Sequence, residues 1–151
     1  MVYLKYLKPQ EVSEKTMEER KIAFFVDDEA DFLELLQKRI QHPSFEIQTY
    51  HAVNAYRIID EVIKLKPDVL FIDFNLPRAN GAQVVSILKS VPSLAELPVY
   101  FITGYSYSKE KILPFLKEVK HQGVLLKDVS LKKEILRILD QFAETLQLNS
   151  P

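Results

Sequence analysis

The chain has 151 residues, 47% of them hydrophobic, enough for one compact domain with a real core. Its 20 basic and 21 acidic side chains nearly cancel, and a formal charge of −1 gives no basis for nonspecific nucleic-acid binding. There is no cysteine, which excludes disulfides, thiol catalysis and thiolate metal sites, and no apolar run approaches the roughly 20 residues of a membrane helix. Met1 to Lys8 has lysines within its short apolar stretch and no small-residue cleavage site, so it does not read as a signal peptide. The expected location is the cytoplasm, with neither nucleic acid nor membrane as a partner.

Residues 1–20 stand apart as an N-terminal extension: a short apolar stretch, Val2 to Leu7, then a polar segment from Pro9 to Arg20. From residue 21 to 148 the pattern is regular. Ile22 to Val26 is a continuous apolar run closed by acids, which is how a strand buried on both faces reads. Phe32, Leu35, Leu36 and Ile40 follow at helical spacing, and Phe45 to Tyr50 predicts a second strand after the turn at Pro43-Ser44. Ala55, Ile58, Ile59 and Val62 form the next helical stripe, and Val69 to Ile72 a third strand, again closed by an acid.

A short helix is expected after Gly81, through Val84, Val85 and Leu88, and a fourth strand at Val99 to Ile102. Ile112, Phe115, Leu116 and Val119 are helically spaced. Pro114 lies among them and lacks the N–H a helix interior needs, so that helix is expected to begin near Leu113 or to bend there. Val124 to Leu126 is a fifth strand, and the stripe from Leu131 to Leu146 predicts a long last helix with Ser130 placed to cap it. Strands alternating with such helices imply right-handed β-α-β units and hence an α/β fold, a doubly wound five-stranded parallel sheet. Ligands of such sheets sit outside the carboxyl ends of the strands.

At those ends the sequence places Asp27-Asp28-Glu29 after the first strand and Asp73-Phe74-Asn75-Leu76-Pro77 after the third. Thr103-Gly104 follows the fourth and Lys127 the fifth. Clustered carboxylates repel one another, so one stays protonated or a cation joins them. Mg²⁺ is the natural guest, a hard ion that takes carboxylate and carbonyl oxygens. A carboxylate beside it can act as a nucleophile toward a phosphoryl group, while a hydroxyl and an ammonium neutralise the phosphoryl oxygens. Each residue alone has a plainer reading. Asp27 and Asp28 could end a strand and cap a helix, Asp73 could sit in a turn, Thr103 is a β-favouring residue, and a lone lysine is usually solvated. Their joint occurrence on one rim favours the functional reading. His42, His51 and His121 lack metal-ligand spacing and read as surface residues, and the three glycines form no phosphate-binding loop.

The combination Val26-Asp27-Asp28-Glu29, Asp73-x-x-Leu76-Pro77-x-x-Asn80-Gly81, Thr103-Gly104 and Lys127 resembles the receiver domain of response regulators in order, spacing and strand-end placement. The resemblance implies a flavodoxin-like strand order, 2-1-3-4-5. It also implies that Asp73 is the phospho-acceptor and that Asp27, Asp28, Asp73 and the backbone carbonyl of Asn75 hold Mg²⁺, Asp27 through a bound water. Thr103 would be the switch hydroxyl and Lys127 the ion-pair partner of the phosphoryl group. The partners it implies are a sensor histidine kinase or histidine phosphotransfer protein and an unidentified protein target; a homodimer is compatible.

Two positions depart from the family. Asp128 replaces the usual proline after the lysine, so a trans Lys127–Asp128 bond is expected, with Lys127 reaching the site less well and an added negative charge nearby. Val124 replaces the usual aromatic ring that reports phosphorylation, and Tyr105 or Tyr107 is expected to take over part of that readout. Asn75 and Tyr105 stand where the family tunes attack by water, and the bulk of Tyr105 predicts slow self-dephosphorylation. With no effector domain after the last helix, the expected function is a stand-alone switch, not an enzyme, that alters protein–protein contacts. The alternatives are a receiver-fold adaptor not regulated by phosphorylation and a self-dephosphorylating phosphorelay carrier.

Overall fold

The computed structural model describes residues 20–104 and 109–148. The predicted extension up to residue 19, and the readout positions Tyr105 and Tyr107, lie outside the described residues. The chain runs β1 (Lys21–Asp27), α1 (Ala30–Arg39), β2 (Phe45–His51), α2 (Arg57–Leu65), β3 (Val69–Asp73) and α3 (Gly81–Lys89). After a 3₁₀ turn at Pro92–Leu94 come β4 (Val99–Thr103), α4 (Lys109–Leu116), β5 (Gly123–Leu126) and α5 (Leu131–Leu148). The five strands form one sheet in the order β2-β1-β3-β4-β5, every neighbouring pair parallel. The expected doubly wound α/β architecture is thus the observed one.

Alternation along the strands divides the core into two layers. Phe24, Val26, Leu70, Ile72 and Phe101 pack with Ile58 and Val62 of α2, Val85 and Leu88 of α3, and Ile112 and Leu116 of α4. Ala23, Phe25, Phe71 and Leu125 point the other way, onto Leu33 and Leu36 of α1 and Ile135 and Leu139 of α5. Both faces are covered, which is why the strands read as unbroken apolar runs. Phe71 is stacked between Phe25, 4.5 Å away and 3° from parallel, and Tyr100 at 5.4 Å and 17°. The three rings hold the central strands in register.

Three local expectations are corrected. Helix α4 already runs from Lys109 and carries Pro114 inside it, instead of starting near Leu113. Pro114 falls in the last turn and is exposed, so water can satisfy the carbonyl its missing N–H leaves free; the helix ends at Leu116, short of Val119. Ser130 holds the cap position of α5 through its carbonyl, which accepts from the Glu134 amide at 3.0 Å, but its hydroxyl donates to Asp128 Oδ1 at 2.6 Å. His42 is no surface residue: its side chain is 6% exposed, 2.8 Å from Asp140 of α5 and edge-on to Phe45. Its Nδ1 accepts from the Ser44 amide at 3.0 Å, so Nε2 carries the proton that reaches Asp140.

The strand order changes direction between β1 and β3, whose successors leave for opposite faces of the sheet. The carboxyl ends of these two strands therefore flank the crevice where such sheets bind ligands.

Candidate functional site

Asp27 closes β1 and Asp73 closes β3. They are 2% and 4% exposed, and with Thr103 they complete the buried polar residues among those described. Each carboxylate is oriented by its own turn. Asp27 Oδ1 accepts from the Glu29 amide at 2.8 Å, and Asp73 Oδ1 from the Asn75 amide at 3.1 Å. These two-residue-ahead bonds are what Asp offers at a strand end, and here they leave the second oxygen of each acid facing the crevice. Asp28 is half-buried, and its carbonyl accepts from His51 Nε2 at 3.0 Å.

Asp27, Asp28, Glu29 and Asp73 each offer one oxygen, all within 4.8 Å of one another. The Lys127 ammonium enters this cluster, 2.8 Å from Asp27 Oδ2, 2.9 Å from Glu29 Oε1 and 3.5 Å from Asp73 Oδ2. It also lies 4.4 Å from the centre of the Phe32 ring. Four carboxylates against one ammonium leave a local excess of negative charge. Burial, and then the field of Asp27, push the Asp73 pKa up to about 7 despite the nearby Lys127. Burial likewise raises Asp27, against its bond to Lys127. Burial disfavours the Lys127 ammonium, but its bond to Asp27 and the field of Asp73 more than offset this and raise its pKa. A crowded set of hard oxygen donors with more negative than positive charge fits a divalent cation such as Mg²⁺.

The expectation that Lys127 reaches the site less well is corrected. No cis peptide bond occurs among the described residues, so Lys127–Asp128 is trans as expected, yet the ammonium contacts three of the acids. The reason is a tight turn. The Lys127 amide donates to the Thr103 carbonyl, and the Asp128 amide donates to the Leu126 carbonyl, each at 2.9 Å. The second bond closes a three-residue turn around Lys127 that proline could not make, since it has no N–H. The Asp128 carboxylate accepts from the Ser130 amide and hydroxyl at 2.9 and 2.6 Å.

Thr103 is buried on β4, one residue past Ile102, which is in register with Asp73. It therefore lies on the same rim, where its hydroxyl makes a long contact of 3.5 Å to the Gly104 carbonyl. Asn75 is exposed, on a loop drawn back onto β3 by the Asn75–Asn80 bridge and by the Gly81 amide, which donates to the Phe74 carbonyl at 2.6 Å. A Cβ on Gly81 would stand 2.5 Å from the Asp73 carbonyl oxygen, so the loop can close only over glycine. Asn80 and Gln83 then cap α3 reciprocally, both bonds 2.9 Å. Sequence reasoning gave no role to Glu29 and Phe32, because an acid after two acids and a ring on a helical stripe look ordinary until β5 is placed beside them. Among the described residues, no helix is long and apolar enough to cross a membrane.

Comparison with known proteins agrees with this geometry. The response regulator receiver domain matches residues 23–139. An uncharacterized response regulatory protein of Yersinia pestis is 27% identical over 128 residues, 76% of this chain and 52% of that protein. A protein-glutamate methylesterase/protein-glutamine glutaminase of Syntrophomonas wolfei is 36% identical over 84 residues, 55% of this chain and 24% of that protein. This chain thus spans about half or less of the length of these curated relatives. Among solved structures, the chemotaxis response regulator CheY4 of Vibrio cholerae superposes with a TM-score of 0.68 at 20% identity, over 81% of this chain and 98% of that one. Such low identity speaks for the fold, while the match over residues 23–139 carries the family. This chain belongs to the response regulator receiver domain family.

Proposed function

We propose that residues 21–148 form a Mg²⁺-dependent phosphoryl-accepting switch in which Asp73 is the acceptor, residues 1–20 being an extension to it. The observation that carries the proposal is the meeting of Asp27, Asp28 and Asp73 at one rim, with the Lys127 ammonium set against Asp27 and Asp73. Receiver domains take their phosphoryl group from histidine kinases or phosphotransfer proteins. Here an Asp73 oxygen would attack phosphorus as the P–N bond of a donor phosphohistidine breaks. The new bond is P–O, and the imidazole nitrogen leaves with the bonding pair and takes up a proton.

The chain's own residues divide the work. The Asn75 amide holds one oxygen of Asp73 and turns the other toward the crevice. Lys127 supplies positive charge beside that oxygen, and Thr103 stands on the rim as the hydroxyl that would follow the phosphoryl group. Asp27, Asp28 and Asp73, with the Asn75 carbonyl, would hold Mg²⁺, which when bound supplies charge neutralisation for the transferring group and favours the ionised, nucleophilic form of Asp73. A phosphoryl group brings up to about two negative charges to the rim, enough to bias a surface that a protein target reads. In this reading Asp73 carries the phosphoryl group as a signal, and the domain works as a switch.

An adaptor indifferent to phosphorylation drew its support from Asp128 and Val124; the turn that still brings the Lys127 ammonium to the acids weakens the argument from Asp128 and leaves the one from Val124. The test is to add Mg²⁺ with beryllium fluoride, a mimic of the aspartyl phosphate, and follow amide chemical shifts. The proposal expects saturable changes at Asp73, Thr103 and Lys127 that vanish in Asp73→Asn. Unchanged spectra in the wild type would leave the adaptor reading standing.

A further inference from the structure

Glu29 takes no part in the chemistry just proposed, yet its carboxylate lies nearer the Lys127 ammonium than that of Asp73, at 2.9 Å against 3.5 Å. Helix capping does not account for where it points: Glu29 occupies the N-cap of α1, but its side chain makes no capping hydrogen bond there. Burial does not account for it either, since the side chain is 64% exposed. What the carboxylate does is grip Lys127 from the α1 side. Phe32, three residues along the same helix start, faces the same ammonium.

The backbone of Lys127 is fixed by its two flanking hydrogen bonds, so only the ammonium end can redistribute. A phosphoryl group on Asp73 would place new negative charge beside the oxygen that Lys127 now only approaches. To reach it the ammonium must loosen one existing partner. Asp27 is buried, and releasing it would strand a charge away from water. Glu29 is exposed, and water resolvates its carboxylate at little cost.

We infer that Glu29 is a positioning residue that holds Lys127 in reserve and is exchanged for a phosphoryl oxygen when Asp73 is modified. The inference rests on phosphoryl acceptance at Asp73. Glu29 then competes with the phosphoryl group for one ammonium, so it sets how readily the modified state forms and how long it persists.

The test is a two-by-two set in the full chain: wild type, Glu29→Gln, Lys127→Met and the double variant, titrated with beryllofluoride at fixed Mg²⁺ and followed by amide chemical shifts. Glu29→Gln is expected to bind about two- to five-fold more tightly than wild type, the range for an exposed ion pair released as a competitor. In the Lys127→Met background the same substitution is expected to give no gain, or a small loss from the weaker negative field at the cation. No tightening when Lys127 is present, or equal tightening without it, overturns the inference. A wild type that binds beryllofluoride but ignores Glu29→Gln overturns this inference alone. A wild type that does not bind overturns the acceptor role of Asp73 as well.

Discussion

The Lys127 ammonium lies 2.8 Å from Asp27 Oδ2, joining the end of the last strand to the end of the first, and their side chains are 14% and 2% exposed. A buried carboxylate that loses its partner keeps its desolvation cost with nothing to offset it. Lys127→Met is therefore expected to destabilise the metal-free protein at pH 7 by about 1–3 kcal/mol, with a smaller loss in Mg²⁺, where the cation replaces the ammonium. The raised pKa of Lys127 makes its contribution complete below the unfolded value and lost only at strongly alkaline pH. Urea denaturation with and without Mg²⁺ checks this; equal losses in the two conditions would contradict it.

Asp73 weakens the metal-free fold at neutral pH where Lys127 supports it, although both raised pKa values make stability fall as pH rises. Its pKa of about 7 in the fold exceeds the roughly 3.9 of an unfolded aspartate. The folded state therefore holds more protons between these values, and stability falls as pH rises through that window. Asp73→Asn removes the loss. Without metal it should be more stable than wild type by about 1–3 kcal/mol at pH 8 and nearly equal to it at pH 4. Parallel stability–pH curves for the two proteins would show that the crowding of acids is not felt at Asp73.

Magnesium should narrow that gap. A ligand that binds only the folded state at ten times its dissociation constant adds about 1.4 kcal/mol. For a domain of this size that raises the melting temperature by about 3–6 °C. The wild type is expected to show the gain and to lose it on chelation, while Asp73→Asn shows less. A melting temperature indifferent to Mg²⁺ would argue against a shared cation.

Gly81→Ala would press a methyl group against the Asp73 carbonyl oxygen and the Phe74 Cα, at 2.5 and 3.1 Å. Both are backbone atoms with no room to rotate away. The substitution is expected to cost about 2–4 kcal/mol, and to weaken beryllofluoride binding because the strand end itself must shift. Full stability and unchanged binding together would show that the loop has slack.

Much of the fold was legible because parallel strands buried on both faces leave apolar runs that polar loops interrupt cleanly, as at Phe24-Phe25-Val26 and Leu70-Phe71-Ile72. The rim was legible for a related reason. Asp27, Asp73, Thr103 and Lys127 each end or directly follow such a run, so their convergence follows from the topology. What escaped depends on long-range contacts with no local mark. Glu29 meets Lys127 across 98 residues, and His42 meets Asp140 across the same separation. The aim of Lys127 depends on two backbone hydrogen bonds, one of them from the Asp128 amide that the family's usual proline would lack, and neither leaves a local mark in the sequence. The start of α4 at Lys109 was missed because periodicity does not reveal that Pro114 falls in the last turn of the helix.

The most direct measurement is intact-protein mass after incubation with acetyl phosphate. The account predicts a gain of one phosphoryl group that requires Mg²⁺, is reversed by hydroxylamine as an acyl phosphate must be, and is absent in Asp73→Asn. No gain in the presence of Mg²⁺, or an equal gain in Asp73→Asn, would contradict it.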